Sequence, residues 1–167
     1  IDGIIGWPLL QSLDVEFDFR GEQLTVRKPK VQAVNRHDLG WFWQPFMRVR
    51  AANGCFLHLM LDTGSATTFF HPGAYAKLDQ QPTKGGKIIR GGAGGKETVP
   101  YDQLDSCQFW VGSHPVVMNY AEGIKAKDAG TDELFVWDGV IGQDILRKGK
   151  FRLDFLNRRY EFDWNEE

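Results

Sequence analysis

The feature that most constrains this chain is an internal repeat. Asp2-Gly3-Ile4-Ile5-Gly6-Trp7-Pro8-Leu9-Leu10 matches Asp138-Gly139-Val140-Ile141-Gly142-Gln143-Asp144-Ile145-Leu146 at a constant offset of 136. The match continues without a gap, Phe17-Asp18-Phe19 falling on Leu153-Asp154-Phe155 and Val26 on Phe162. Chance rarely holds one offset over so many positions, and a repeat of this kind restricts architecture before any local propensity does.

A second stretch carries chemistry. Leu59-Met60-Leu61-Asp62-Thr63-Gly64-Ser65-Ala66 places an acid at the end of an apolar run. An ionised carboxylate at the end of a buried strand is costly unless hydrogen bonds or a partner charge hold it. Thr63 and Ser65 offer hydroxyl donors, and Gly64 allows a backbone N–H to approach the carboxylate closely. On the tripeptide alone, an ordinary turn after a strand accounts for Asp62 about as well, since Asp-x-Gly is common turn chemistry.

Further features shift that balance. Trp137 to Leu146 contains an apolar-apolar-Gly step followed by a short helical turn, and Lys87 to Lys96 reads as a hairpin with a Gly91-Gly92-Ala93-Gly94-Gly95 tip, followed by Tyr101-Asp102-Gln103. A phosphate-binding loop is set aside, because the glycines run into Glu97-Thr98-Val99-Pro100 where a Lys-Ser/Thr pair opening a helix is required. In this order, Asp-Thr-Gly-Ser, glycine-tipped hairpin and closing Val-Ile-Gly resemble the aspartic proteases of the pepsin and retropepsin class. The resemblance covers about Gly40 to Trp164, plus the repeated tail at Asp2 to Val26.

It implies an all-β, closed or barrel-like aspartic-protease lobe with one or two short helices. The implied organisation is a closing segment of a preceding homologous lobe at 1–27, a linker at 28–39 and a complete lobe at 40–167. No stretch combines a basic region, an apolar core and a small-residue cleavage site. With Ile1 as the first residue, the expectation is a piece or processed form of a longer two-lobed protein.

Local patterns agree with many short strands. Leu13 to Phe19 alternates apolar and acidic residues, and Gln23 to Arg27 returns after a turn at Arg20-Gly21-Glu22. Lys28 to Leu39 is polar and aperiodic. Phe46 to Arg50 and Cys55 to Leu61 flank Asn53-Gly54, the strongest short hairpin signal, which favours a type I′ turn. A short helix is expected at Pro72 to Leu78, strands at Gln108 to Val111 and Val116 to Tyr120, and a polar loop at Lys125 to Glu133. A short helix at Gln143 to Arg147 and strands at Phe151 to Phe155 and Arg159 to Asp163 follow.

The 42% hydrophobic content, with 12 Phe and 6 Trp, supplies a core, and the 19 Gly suit a turn-rich β-fold. Charges are mixed in sign with a formal net of −2, so there is no basic stripe for nucleic acid. No apolar run is long enough to span a membrane. Cys55 and Cys107 lack zinc spacing and define no compartment, though a periplasmic or secreted setting is compatible. Neither a metal nor a cofactor is expected. His58 is assigned a structural role, since no Gly-x-Ser-x-Gly elbow accompanies it. His71 and His114, beside prolines, read as loop residues.

What the resemblance implies for function is peptide-bond hydrolysis. Asp62, Thr63 and Gly64 take the catalytic positions, while Ser65 and Gly91, Gly92, Ala93, Gly94 and Gly95 take substrate-binding ones. Two aspartates hold a water between them, one activating it and the other protonating the scissile carbonyl oxygen. This chain shows one such motif, so the second acid is expected from a second subunit or an absent N-terminal lobe. The partners implied are a peptide or protein substrate and that second unit. The alternative, from a different class, is a retropepsin-like binding or assembly module without a competent pair of acids.

Overall fold

The computed structural model describes residues 5–33, 35–92, 95–125 and 137–164. The repeat is visible element by element. A short helix α1 (Trp7–Leu10) leads into strands β1 (Asp14–Asp18) and β2 (Gln23–Arg27). At the other end, α2 (Gln143–Leu146) leads into β13 (Gly149–Asp154) and β14 (Arg159–Trp164). The two helices begin and end at equivalent residues, and both follow a glycine, Gly6 or Gly142, in extended conformation.

The two copies then pair with each other. β1 and β13 lie antiparallel at the centre of a four-stranded sheet, with β2 and β14 on its edges. Glu16 lies opposite Arg152, its own equivalent in the repeat, while Val15 opposite Leu153 and Phe17 opposite Phe151 are the same pairing read from either side. An approximate twofold axis therefore passes between Glu16 and Arg152.

The remaining strands form one curled half-barrel sheet. They are β3 (Leu39–Phe42), β4 (Gln44–Ala51), β5 (Phe56–Leu61), β6 (Phe69–Phe70), β7 (Thr83–Gly92), β8 (Gly95–Leu104), β9 (Cys107–Val111), β10 (His114–Met118), β11 (Ala121–Gly123) and β12 (Gly139–Ile141). Pairing runs β10-β9-β4-β5-β12-β6-β11-β8-β7, with β3 against β4. The fold is all-β, with α1 and α2 as short helices. Leu57, Leu59, Leu61, Phe70, Leu104, Phe109, Ile141, Leu146, Phe151 and Leu153 are among the fully buried side chains of its main core. No helix among the described residues is long and apolar enough to cross a membrane.

Several local expectations change. Positive φ occurs at Gly54 but not at Asn53, and the Gly54 amide donates to the Ala51 carbonyl, so the β4–β5 turn is not type I′. The short helix expected at Pro72 to Leu78 is present as two 3-10 turns, Pro72–Ala74 and Ala76–Leu78. His71 is buried, not a loop residue; its Nδ1 donates to the Ile124 carbonyl at 2.6 Å. His114 lies in β10, stacked with Trp164. The polar stretch before β3 is pinned across the molecule, the Gln32 amide donating to Asn157 Oδ1 and Asn157 Nδ2 donating to the Lys30 carbonyl. Both cysteines are free thiols. Trp41 packs edge-on to Phe155, whereas Trp43 is exposed. The polar loop expected at Lys125 to Glu133 lies outside the described residues from 126 onward, as do Asp2, Gly3 and Ile4.

The two copies differ in burial. Ile141, Ile145 and Tyr160 are 0%, 2% and 3% exposed, whereas their equivalents Ile5, Leu9 and Leu24 are 63%, 63% and 45% exposed. The strands of the half-barrel sheet cover the C-terminal copy and leave these positions of the N-terminal copy open. Ile145→Ala is therefore expected to cost about 2–5 kcal/mol in urea unfolding, and Leu9→Ala less than about 1 kcal/mol.

At the twofold sheet, Arg152 Nε and Nη2 both donate to the buried Asp14 carboxylate, at 2.8 and 2.6 Å. These hydrogen bonds, opposed by desolvation, hold the Asp14 carboxyl below its ordinary range. A lowered native value means the unfolded chain takes up the proton first as pH falls. The stabilisation is present above about pH 5 and decays below about pH 4. Asp14→Asn is expected to lose about 2 kcal/mol at pH 7, with the difference from the parent shrinking toward pH 3 in parallel melts.

Candidate active site

Asp62 stands one residue beyond β5, whose backbone is paired on both sides. β4 runs antiparallel to it, and β12 runs parallel with Ile141 beside Leu61. The flanking strands explain the apolar run: Leu59, Met60 and Leu61 are all buried. The Asp62 amide continues the ladder by donating to the Ile141 carbonyl at 3.2 Å. The half-buried carboxylate is then held by its own loop. Its Oδ1 accepts from the Gly64 amide at 2.8 Å and the Ser65 amide at 3.2 Å.

Neither hydroxyl expected to hold the carboxylate bonds to it among the described residues. Ser65 Oγ donates to the Thr67 carbonyl at 2.8 Å, and Thr63 contributes its carbonyl, which accepts from Gln143 Nε2 at 2.6 Å. Backbone amides suffice because a three-residue Asx-type turn brings them to the acid without side-chain help.

The loop is strapped to the start of α2. The Gln143 amide donates to the Ser65 carbonyl at 2.9 Å. The Gly142 amide donates to Thr68 Oγ1 at 2.9 Å, and that hydroxyl donates to Asp144 Oδ1 at 2.7 Å. A Cβ on Gly142 would sit 2.6 Å from the Thr67 carbonyl group, so only glycine fits between the loop and the helix. Gly139 is equally tight, since an added Cβ would come within 2.2 Å of the Phe69 carbonyl oxygen. Thr68, Gln143 and Asp144 are the residues sequence reasoning undervalued. The signal for Gln143 and Asp144 was two polar side chains directly after the closing Val-Ile-Gly, and that for Thr68 a hydroxyl residue just past the Asp62 motif.

The glycine-rich stretch forms the expected hairpin. β7 and β8 pair from Thr83–Gln103 to Gly92–Gly95, with a register shift between Lys84 and Lys87 where Gly85 and Gly86 fall. Gly91, Gly92 and Gly95 lie at its end, while Ala93 and Gly94 lie outside the described residues. The hairpin root rests on a small cluster of Met60, Phe69, Ile124 and Val140, which Ile88, Tyr101 and Trp137 pack against.

His58 and Asp138 are separate from this loop. Asp138 is buried in an ion pair with Lys77 Nζ at 2.7 Å and accepts the His58 amide at 2.8 Å. The His58 ring lies 3.8 Å from the Asp138 carboxylate and edge-on to Phe46. Burial draws its pKa below the ordinary value. Asp138 thus braces strands and does not face Asp62.

No family model matches the chain, and no curated protein matches it in sequence. Among solved structures it is similar to an EIAV protease complexed with the inhibitor HBY-793. The identity is 21%, the match covers 62% of this chain and 86% of that chain, and the TM-score is 0.45.

Thr68 carries two hydrogen bonds from a site 2% exposed. Thr68→Val leaves the Gly142 amide and the Asp144 carboxylate short of a partner. It is expected to lower stability by about 1–3 kcal/mol in chemical denaturation and to speed amide exchange at Gly64 and Ser65.

Proposed function

We propose that this chain supplies one half of the active site of an aspartic endopeptidase. The observation that carries the reading is the setting of Asp62: a carboxylate at the mouth of a buried strand, one oxygen fixed by two backbone amides, on a loop strapped to a glycine-led helix. Asp62 Oδ2 has no hydrogen-bond partner among the described residues, which suits a group that works on a water.

In this reading a second carboxylate faces Asp62. Two such groups at close range share one proton, because both cannot ionise. The ionised one takes a proton from the water as it attacks the scissile carbonyl, and the protonated one donates to the carbonyl oxygen. Water is the nucleophile, so the scheme calls for no metal and no covalent intermediate. The β7–β8 hairpin serves as a flap over a substrate bound as an extended strand.

The repeat supports a particular source for the second acid. Gly142 and Gln143 anchor the Asp62 loop, and their equivalents Gly6 and Trp7 open the uncovered copy. A homologous lobe seated on Ile5, Leu9, Leu24 and Val26 would bring its own loop to Gly6, related to Asp62 by the axis at Glu16 and Arg152. The segment 1–27 then closes that lobe, 28–39 links the two, and the working protein is bilobal, its second lobe coming from the same polypeptide or a second subunit.

Asp62→Asn, made in an assembly that contains the second acid, is expected to reduce peptide hydrolysis roughly a thousandfold while leaving the melting temperature within about 2 °C. Activity at acidic pH that persists in a chelator accompanies this. Near-parent turnover in Asp62→Asn contradicts the assignment.

A further inference from the structure

The inner face of the hairpin carries a cation whose bonding is incomplete. Side chains alternate along β7, so Ile88 and Arg90 share one face while Ile89, 73% exposed, takes the other. Ile88 packs onto the Phe69 cluster, and Arg90 is laid over the Phe69 ring itself, its guanidinium carbon 3.9 Å from the centroid. Phe69 is 2% exposed and directly follows Thr68, which anchors the Asp62 loop. The hairpin thus sets Arg90 over Phe69, one residue along from Thr68 and within electrostatic range of Asp62.

Arg90 Nη1 is buried and has no hydrogen-bond partner among the described residues. Its electrostatic neighbours are Glu122, which lies opposite Phe69 on β11, and Asp62. Neither forms an ion pair with it within 4.0 Å among the described residues. Burial lowers the Arg90 pKa and raises that of Glu122, against the attraction between the two. Asp144 is already engaged by Thr68 and the Ile145 amide. Nη1 is closed off from solvent, so an incoming group meets the guanidinium through Nε and Nη2, which have no hydrogen-bond partner among the described residues and are not buried.

We propose that Arg90 is a substrate-positioning residue, whose accessible Nε and Nη2 groups bind a carboxylate side chain of the peptide and give the site a preference for Asp or Glu beside the scissile bond. This rests on the peptidase reading. The planar guanidinium fork matches a carboxylate, and a charge-assisted bond in a desolvated place discriminates against the neutral amide of the same shape. Backbone carbonyls of an extended peptide are weaker candidates, since strand amides satisfy them. Glu122 is the internal competitor for the same cation.

The test uses three peptides that differ only in Glu, Gln or Lys next to the scissile bond. The parent assembly is expected to favour Glu over Gln by about tenfold in kcat/KM. Arg90→Gln brings that ratio to within about twofold of unity, Arg90→Lys retains part of it, and Glu122→Gln increases it. A hairpin latch without substrate contact predicts a fall for all three peptides alike with the ratio kept, and that result overturns the proposal. Titration calorimetry of the same peptides on the Asp62→Asn assembly reads the preference without hydrolysis. Loss of the binding ratio on Arg90→Gln supports the role of Arg90 even where no peptide is cleaved, an outcome that would count against the peptidase reading alone. Equal binding of the Glu and Gln peptides before any change at Arg90 refutes the proposal.

Discussion

The site depends on the contact between the loop at Asp62–Thr68 and the glycine-led start of α2. Three hydrogen bonds from Gly142 and Gln143 cross that contact, and the Gly142 position leaves no room for a methyl group. Remove it, and the carboxylate retains only the amides of its own turn. The parallel pairing of β12 beside β5 brings the two segments together, and the buried run Leu59 to Leu61 keeps that pairing in place. Packing, backbone hydrogen bonds and the orientation of one acid are thus a single structural problem with one solution.

The same solution is half-built a second time. α1, β1 and β2 reproduce α2, β13 and β14, and the pairing of Glu16 with Arg152 makes the reproduction a symmetry of the sheet and not merely of the sequence. What differs is the cover. The C-terminal copy lies under the strands of the half-barrel sheet, while the N-terminal copy presents Ile5, Leu9, Leu24 and Val26 to solvent. An apolar set of this kind, whose equivalents Ile141, Ile145 and Tyr160 are buried and Phe162 half-buried, accounts for the proposal that a second lobe belongs there.

Much of this was legible from residues alone. The constant offset anticipated the copy and its pairing, and the alternation at Leu13 to Phe19 marked β1. The run before Asp62 identified a buried strand, and the glycine cluster located the β7–β8 hairpin. Other points were hidden for physical reasons. Thr63 and Ser65 carry hydroxyls, but a tight turn supplies amides at lower conformational cost, so the carboxylate is held by the Gly64 and Ser65 amides and the Ser65 hydroxyl turns to the Thr67 carbonyl. His71 sits beside a proline and looks like a loop residue; burial and the Ile124 carbonyl come from strands more than fifty residues away, beyond the reach of local pattern. Thr68 and Asp144 bond across 76 residues, and Arg90 meets Phe69 only because the hairpin folds back on the floor. Local periodicity cannot report such long-range partners.

The central claim is that one working site needs two loops of the Asp62 kind. Its most direct test is the stoichiometry of a statine-type inhibitor, whose hydroxyl replaces the attacking water, titrated calorimetrically into the active assembly at acidic pH. The account predicts one inhibitor molecule for every two Asp-Thr/Ser-Gly loops present. One inhibitor bound per loop, with each lobe saturating independently, would contradict it.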